Sequence, residues 1–191
     1  MLHSNSAGRQ DKACSRRFSP GRQPAMDASH GLVRCLQHGH IALIRIEGRV
    51  NLSHSPGVRS FGLRWLQEPE HLLVFDLRQC RHMDSTFVGT LLFLQRHVEE
   101  GGRGTLILAA PSEECLRILG DMGVNEAFRV EEKEVLTPGN WTVLELDKAA
   151  QMQVRGCIVD AHRALASTPG RAGEQFLRVA ECFRDDDQKP V

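Results

Sequence analysis

The sequence predicts an α/β fold: a mixed β-sheet flanked by α-helices over residues 31–135, with an appended C-terminal helical hairpin over 136–191. Three observations predict it. Apolar runs of strand length alternate with amphipathic stretches of helical spacing from Gly31 onward. Glycine or proline stands where each element should end, at Gly48, Pro69, Gly101-Gly102 and Gly123. After Pro138-Gly139 the pattern becomes helical only.

Leu32 to Gln37 reads as a short strand, and His38-Gly39 as a turn. Ile41 to Glu47 alternates, with Ala42, Ile44 and Ile46 on one face and Arg45 and Glu47 on the other; Gly48 closes the strand. Ser55-Pro56 is a helix start, a hydroxyl N-cap followed by proline at the first helical position, where no N–H is missed. Val58, Phe61, Trp65 and Leu66 follow at helical spacing until Pro69. His71 to Leu77 is a compact apolar strand, Arg78 to Met83 a polar loop, and Thr86 to Glu100 a helix with Phe87, Val88, Leu91, Leu94 and Val98 on one side. Thr105 to Ala109 is another buried strand. Pro111-Ser112 opens a helix through Leu116, Leu119 and Met122, which Gly123 stops, and Phe128 to Val130 is a last edge strand. Asp147 to Ala166 carries Ala150, Val154, Cys157, Ile158, Ala161 and Leu165 at spacings of three and four. Thr168-Pro169-Gly170 breaks that run, and Phe176, Leu177, Ala180 and Phe183 mark a second helix. There is no internal repeat.

The 191 residues hold one domain with appendages. Lys+Arg and Asp+Glu are both 24, and aromatic residues make up 5% with no Tyr, so neither a basic face nor a base-stacking surface for nucleic acid is expected. The longest apolar stretches, Leu91 to Leu94 and Leu106 to Ala110, are far short of a membrane span. Residues 1–30 are rich in Ser, Arg, Gly and Gln without a periodic apolar face, and are read as a disordered tail. Such a leader also resembles an organelle transit peptide, and Met26 offers an alternative start. The six cysteines, at 14, 35, 80, 115, 157 and 182, have no zinc or redox spacing and are expected as reduced thiols in a cytoplasmic protein.

No phosphate-cradling glycine loop is present, so no nucleotide cofactor is expected, nor any other. His82, Asp84 and Ser85 lie too close in sequence to converge as a triad, and no G-x-S-x-G elbow supports a hydrolase. Cys80 and His82 make only two ligands, so no metal site is expected. The informative stretch runs from His71 to Gln95, where Asp84-Ser85-Thr86 stands between a buried strand and a buried helix. Either Asp84 or Ser85 can cap that helix. A hydroxyl there is also well placed to carry phosphate, because free N–H groups and the helix dipole favour negative charge.

Three segments in order, IALIRIEGRVN (41–51), LLVFDL…HMDSTFVGTLL (72–92) and GGRGTLILAAPSEECLRILGDMGVNEAFRV (101–130), resemble the STAS domain of bacterial anti-sigma factor antagonists. The resemblance covers a little over half of the chain. It implies that Ser85 is the phosphoacceptor, with Asp84, Thr86 and Asn51 beside it at the partner-binding surface. It further implies a non-enzymatic, phosphorylation-switched protein that binds an anti-sigma factor with serine-kinase activity. The unphosphorylated form binds that factor and frees the sigma factor. A phosphoryl group, adding about −1.5 to −2 charges, ends the interaction. The alternative it implies is a cytoplasmic STAS subunit docking on the ATPase of an ABC-type lipid or anion transporter. The chain departs from the family pattern at Phe87-Val88-Gly89, where Gly-Leu-Gly is usual, and at Asn51, where an Asp is usual. Phe87 either packs inward or alters the docking surface. The hairpin lies outside the minimal domain; packing over a sheet face, self-association and partner choice are its possible roles, and packing is the expectation.

Overall fold

The computed structural model describes residues 31–101, 104–133, 139–144, 154–169 and 171–185. The expectations for residues 1–30, for the start of the hairpin at Asp147, and for the side chains of Cys182 and Phe183 lie outside the described residues. Among those residues one sheet is formed by β1 (Leu32–His38), β2 (Ile41–Val50), β3 (Leu72–Met83), β4 (Thr105–Ala109), β5 (Arg129–Glu131) and β6 (Thr142–Val143). Their order is β5-β4-β3-β2-β1-β6. Strands β2 to β5 are parallel, whereas β1 runs antiparallel to β2, and β6 to β1. The sheet is therefore mixed, as expected. Parallel neighbours need crossovers. These are α1 (Ser55–Trp65), α2 (Ser85–Gly101) and α3 (Glu113–Asp121), while α4 (Val154–Ala166) and α5 (Arg171–Asp185) follow the sheet. No described helix is long and apolar enough to cross a membrane.

The alternation in β2 decides which sheet face is buried. Ala42, Ile44 and Ile46 join Leu73, Phe75, Leu77, Leu106 and Leu108 in one cluster with Val58 and Phe61 of α1 and Phe87, Val88, Leu91 and Leu94 of α2. Each large side chain buried there contributes about 1.5–3 kcal/mol. The opposite face carries a smaller cluster of Leu43, Val74, Ile107 and Ala109, against which Trp141 packs. Trp141 precedes β6, a strand too short to leave a period in the sequence.

Several expectations change. Gly48 does not close β2: it stands within the strand at φ +72°, and pairing continues to Val50. Ser55 is not the cap of α1. Two successive turns, His54 N–H to the Asn51 carbonyl (2.9 Å) and Ser55 N–H to the Leu52 carbonyl (3.2 Å), start the coil one residue early. His54 becomes the N-cap without a side-chain bond, and Ser55 is buried in the first turn. Residues 78–83, expected as a loop, continue β3. The pairs Arg45–Asp76, Glu47–Gln79, Gly48–Cys80 and Arg49–His82 show two bulges, each adding one residue to β3. Because of them Leu77, Cys80 and Met83 are buried at spacings of three, and the two-residue period that signals a strand is lost. Cys80 and His82 are thus strand residues. Finally, the hairpin lies on the helices rather than on a sheet face: α4 packs against α2 and α1, and α5 against α4.

Candidate functional site

The last paired residues of β2 and β3 are Val50 and Met83. Asn51 and Asp84 therefore leave the sheet side by side at the C-terminal end of parallel strands, where open α/β sheets commonly place binding sites. Both carboxylate oxygens of Asp84 are engaged. Oδ1 accepts from Phe87 N–H (2.8 Å) and Oδ2 from Leu52 N–H (2.8 Å). The Asp84 carbonyl accepts the first helical bond from Val88 N–H (3.0 Å). Asp84 is the cap of α2, and it also ties the 51–54 loop to that helix.

Asn51 organises the loop from the other side. Its Oδ1 accepts from Ser53 N–H (3.0 Å) and Ser53 Oγ–H (2.7 Å). Its own N–H donates to His54 Nδ1 (3.3 Å), whose Nε2–H donates to the Gly31 carbonyl (3.1 Å). Asn51 is exposed and Asp84 half-buried.

Ser85 is the first residue of α2 and is half-buried, with Oγ 3.4 Å from His162 Nε2. The other ring nitrogen, Nδ1, lies 2.8 Å from the Ile158 carbonyl. A carbonyl only accepts, so Nδ1 carries the proton; in the neutral ring Nε2 then accepts from the Ser85 hydroxyl. The first two turns of α2 are covered on their outer side as well. Thr86 is 7% exposed. Thr90 Oγ1–H donates to the Thr86 carbonyl (2.8 Å) and lies 3.6 Å from Cys157 Sγ. Gly89 meets Ala161 so closely that a Cβ would stand 2.8 Å from the Ala161 Cβ. Phe87, the departure from the family pattern, packs inward with no exposure.

Asn51, Asp84 and Ser85 are thus brought to one edge, while Thr86 is buried. His162 was not singled out by sequence reasoning, which saw only the apolar stripe that surrounds it. Ser85 pairs with this residue and not with His82, and the third member of the chain is a carbonyl rather than a carboxylate. At the other end of α2 an open cleft is lined by Arg96, His97 and Arg163 with Glu100 and Asp160. Its charges offset one another, and Asp160 already pairs with Arg59. No group of metal-ligating side chains is present among the described residues.

Behind the site, Cys80 of β3 and Cys115 of α3 form a buried thiol pair. A hydrogen bond from Cys80 holds the Cys115 thiol down at about 7, with the Ser112 cap assisting, whereas the Cys80 thiol is pushed up by the same bond and by burial.

The model of the STAS domain family matches residues 33–135, more than half of the chain. Among solved structures, the anti-sigma factor antagonist SpoIIAA in its unphosphorylated form is similar at 17% identity and a TM-score of 0.45, covering 65% of this chain and 96% of that one. The NMR structure of the protein TM1081 is similar at 12% identity and a TM-score of 0.46, covering 51% of this chain and 78% of that one. No curated protein matches the sequence.

Proposed function

This chain belongs to the STAS domain family, and from that we propose that it is a non-enzymatic, cytoplasmic anti-sigma factor antagonist switched by phosphorylation of Ser85. The proposed docking module is 31–135, with Asn51, Asp84, Ser85 and the now buried Thr86 at its contact surface, and 136–191 as an extension that adds β6 to the sheet edge before its helices. One observation carries the reading: Ser85 opens α2 directly behind the Asp84 cap, at the sheet end where the Asn51 loop also emerges. Free amide groups and the dipole at that helix end favour the negative charge a phosphoryl group brings.

The proposed partner is an anti-sigma factor that is itself the serine kinase. In the transfer, Ser85 Oγ forms the bond to the γ-phosphorus of ATP and the bond to the departing ADP oxygen breaks. The hydroxyl proton passes to a base of the kinase. The about −1.5 to −2 charges placed on Ser85 then repel the nucleotide phosphates of the partner. The full chain incubated with ATP and an extract of its host should gain one phosphate, found by phosphopeptide mass spectrometry at Ser85 and not at Thr86. Ser85→Ala should keep partner binding and escape the switch. Ser85→Asp should weaken binding less than the phosphate does, because it carries only part of the charge. No phosphate at Ser85, or Ser85→Asp binding as tightly as wild type, overturns the proposal.

A further inference from the structure

Resting on that reading of Ser85, we infer that the C-terminal helical pair is an intramolecular gate: α4 seats on the outer face of α2, holds the Ser85 hydroxyl through His162, and must lift for Ser85 to meet a phosphoryl donor.

The first ground is steric. A reacting phosphorus approaches a hydroxyl oxygen to about 3–3.5 Å. His162 Nε2 already stands 3.4 Å from Ser85 Oγ, and its ring is 5% exposed, so a donor approaching along that direction competes with the imidazole for space. The neighbouring surface a kinase would grip is covered too, since Thr86 is 7% exposed and Thr90 1%.

The second ground is the chemistry of the seam. The inner face of α2 presents Phe87, Val88, Leu91 and Leu94, all without measurable exposure. The outer face presents Ser85, Gly89 and Thr90 to α4. Hydroxyls and a glycine lose little on returning to water, because water replaces their hydrogen bonds and they uncover little apolar area. The outer face is thus suited to reversible contact and the inner face is not. The apolar share of the seam is mostly on α4, where Ala161, Ala164 and Leu165 are buried; on α2, half-buried Phe93 lies beside Ala164 further along the helix. The Arg96–Ser167 hydrogen bond supplements it, and the Arg59–Asp160 ion pair ties α4 to α1. Glycine at 89 permits the close seating, since any Cβ there would press on the Ala161 backbone and side chain.

Cys157 supplies a native reporter that needs no kinase. It is 1% exposed at the α2–α4 seam, whereas Cys80 and Cys115, at 2% and 0%, lie on β3 and α3. Iodoacetamide labelling of the folded full chain, each site referred to its own rate in denaturant, should show Cys157 at least tenfold less protected than either core thiol. The low-lying Cys115 thiol biases against this outcome, so the test is conservative. Gly89→Leu should speed Cys157 labelling a further tenfold or more while Cys115 keeps its protection, which also shows that the domain is folded. Thr90→Cys places a thiol beside Cys157, where Thr90 Oγ1 now lies 3.6 Å from Sγ. Once oxidised to a disulfide, that variant should be phosphorylated at Ser85 at least tenfold more slowly by ATP and host extract, and dithiothreitol should restore the rate.

Equal protection of Cys157 and Cys115 overturns the gate whatever happens at Ser85. Equal phosphorylation of the oxidised and reduced Thr90→Cys protein overturns its control of Ser85. If wild type shows the labelling difference yet takes no phosphate, the phosphoacceptor reading fails and the moving helix stands.

Discussion

At the scale of single residues, Asp84 is the side chain on which the site depends. One carboxylate satisfies an amide of α2 and an amide of the Asn51 loop, so it sets the position of Ser85 relative to that loop. Removing it leaves two amide groups without their charged acceptor. Asp84→Ala should cost about 2–3 kcal/mol, a lost cap plus a lost charge-assisted bond. Asp84→Asn, which keeps one acceptor oxygen, should cost less than half of that. Urea unfolding of the three proteins checks the ranking. If Asp84→Ala unfolds with wild type, the carboxylate is not what holds the loop. The capping role was legible in the sequence only as a choice between two neighbours. The bond to Leu52, 32 positions away, was beyond any local pattern.

At the scale of elements, β3 and its contact with α3 show how local rules interact. The two bulges on β3 bring its end level with that of β2, which is why Asp84 meets the Asn51 loop. They also turn Cys80 inward toward α3, whose cap Ser112 accepts from Cys115 N–H (3.2 Å) and donates to the Cys80 carbonyl (3.0 Å). The resulting thiol pair gives this seam a pH dependence. Cys115 ionises at about 7 in the folded chain against an ordinary 9.0, so between those values the unfolded chain binds more protons. Stability therefore rises with pH across that window. Cys80 is shifted the other way, so above pH 9 the folded chain binds more protons and stability falls again. Urea midpoints measured from pH 6.5 to about 10 should pass through a maximum near pH 9. Cys115→Ser should flatten the curve, and an unchanged curve in that variant would contradict the pairing.

At the scale of the whole molecule, the layers are unequal. One sheet face is covered by α1, α2 and α3 and then by α4 and α5, while the other has a thin cluster under Trp141. Phe75, fully buried at the centre of the first face, should lose about 3–5 kcal/mol when replaced by Ala. Trp141→Ala should lose clearly less, although it also removes the stacking of Arg45, whose guanidinium lies 4.1 Å from the ring centroid. Denaturant titration followed by circular dichroism compares the two. Equal losses would mean that the second face contributes more than its burial suggests.

The sequence by itself determined the strand and helix alternation, the buried face of β2, β4 to the residue, the start of α3 and the strand-to-helix junction at Asp84-Ser85. These depend on spacing, capping and turn chemistry within a few residues, which a chain carries locally. It did not determine the length of β3, because each bulge breaks the period through a register set by pairing with β2. It did not reveal β6, whose two residues pair only because β1 has an open edge. Above all it could not place His162 on Ser85. Two helices 77 positions apart meet there because α4 buries its small apolar stripe on the outer face of α2, and that docking exists only in three dimensions.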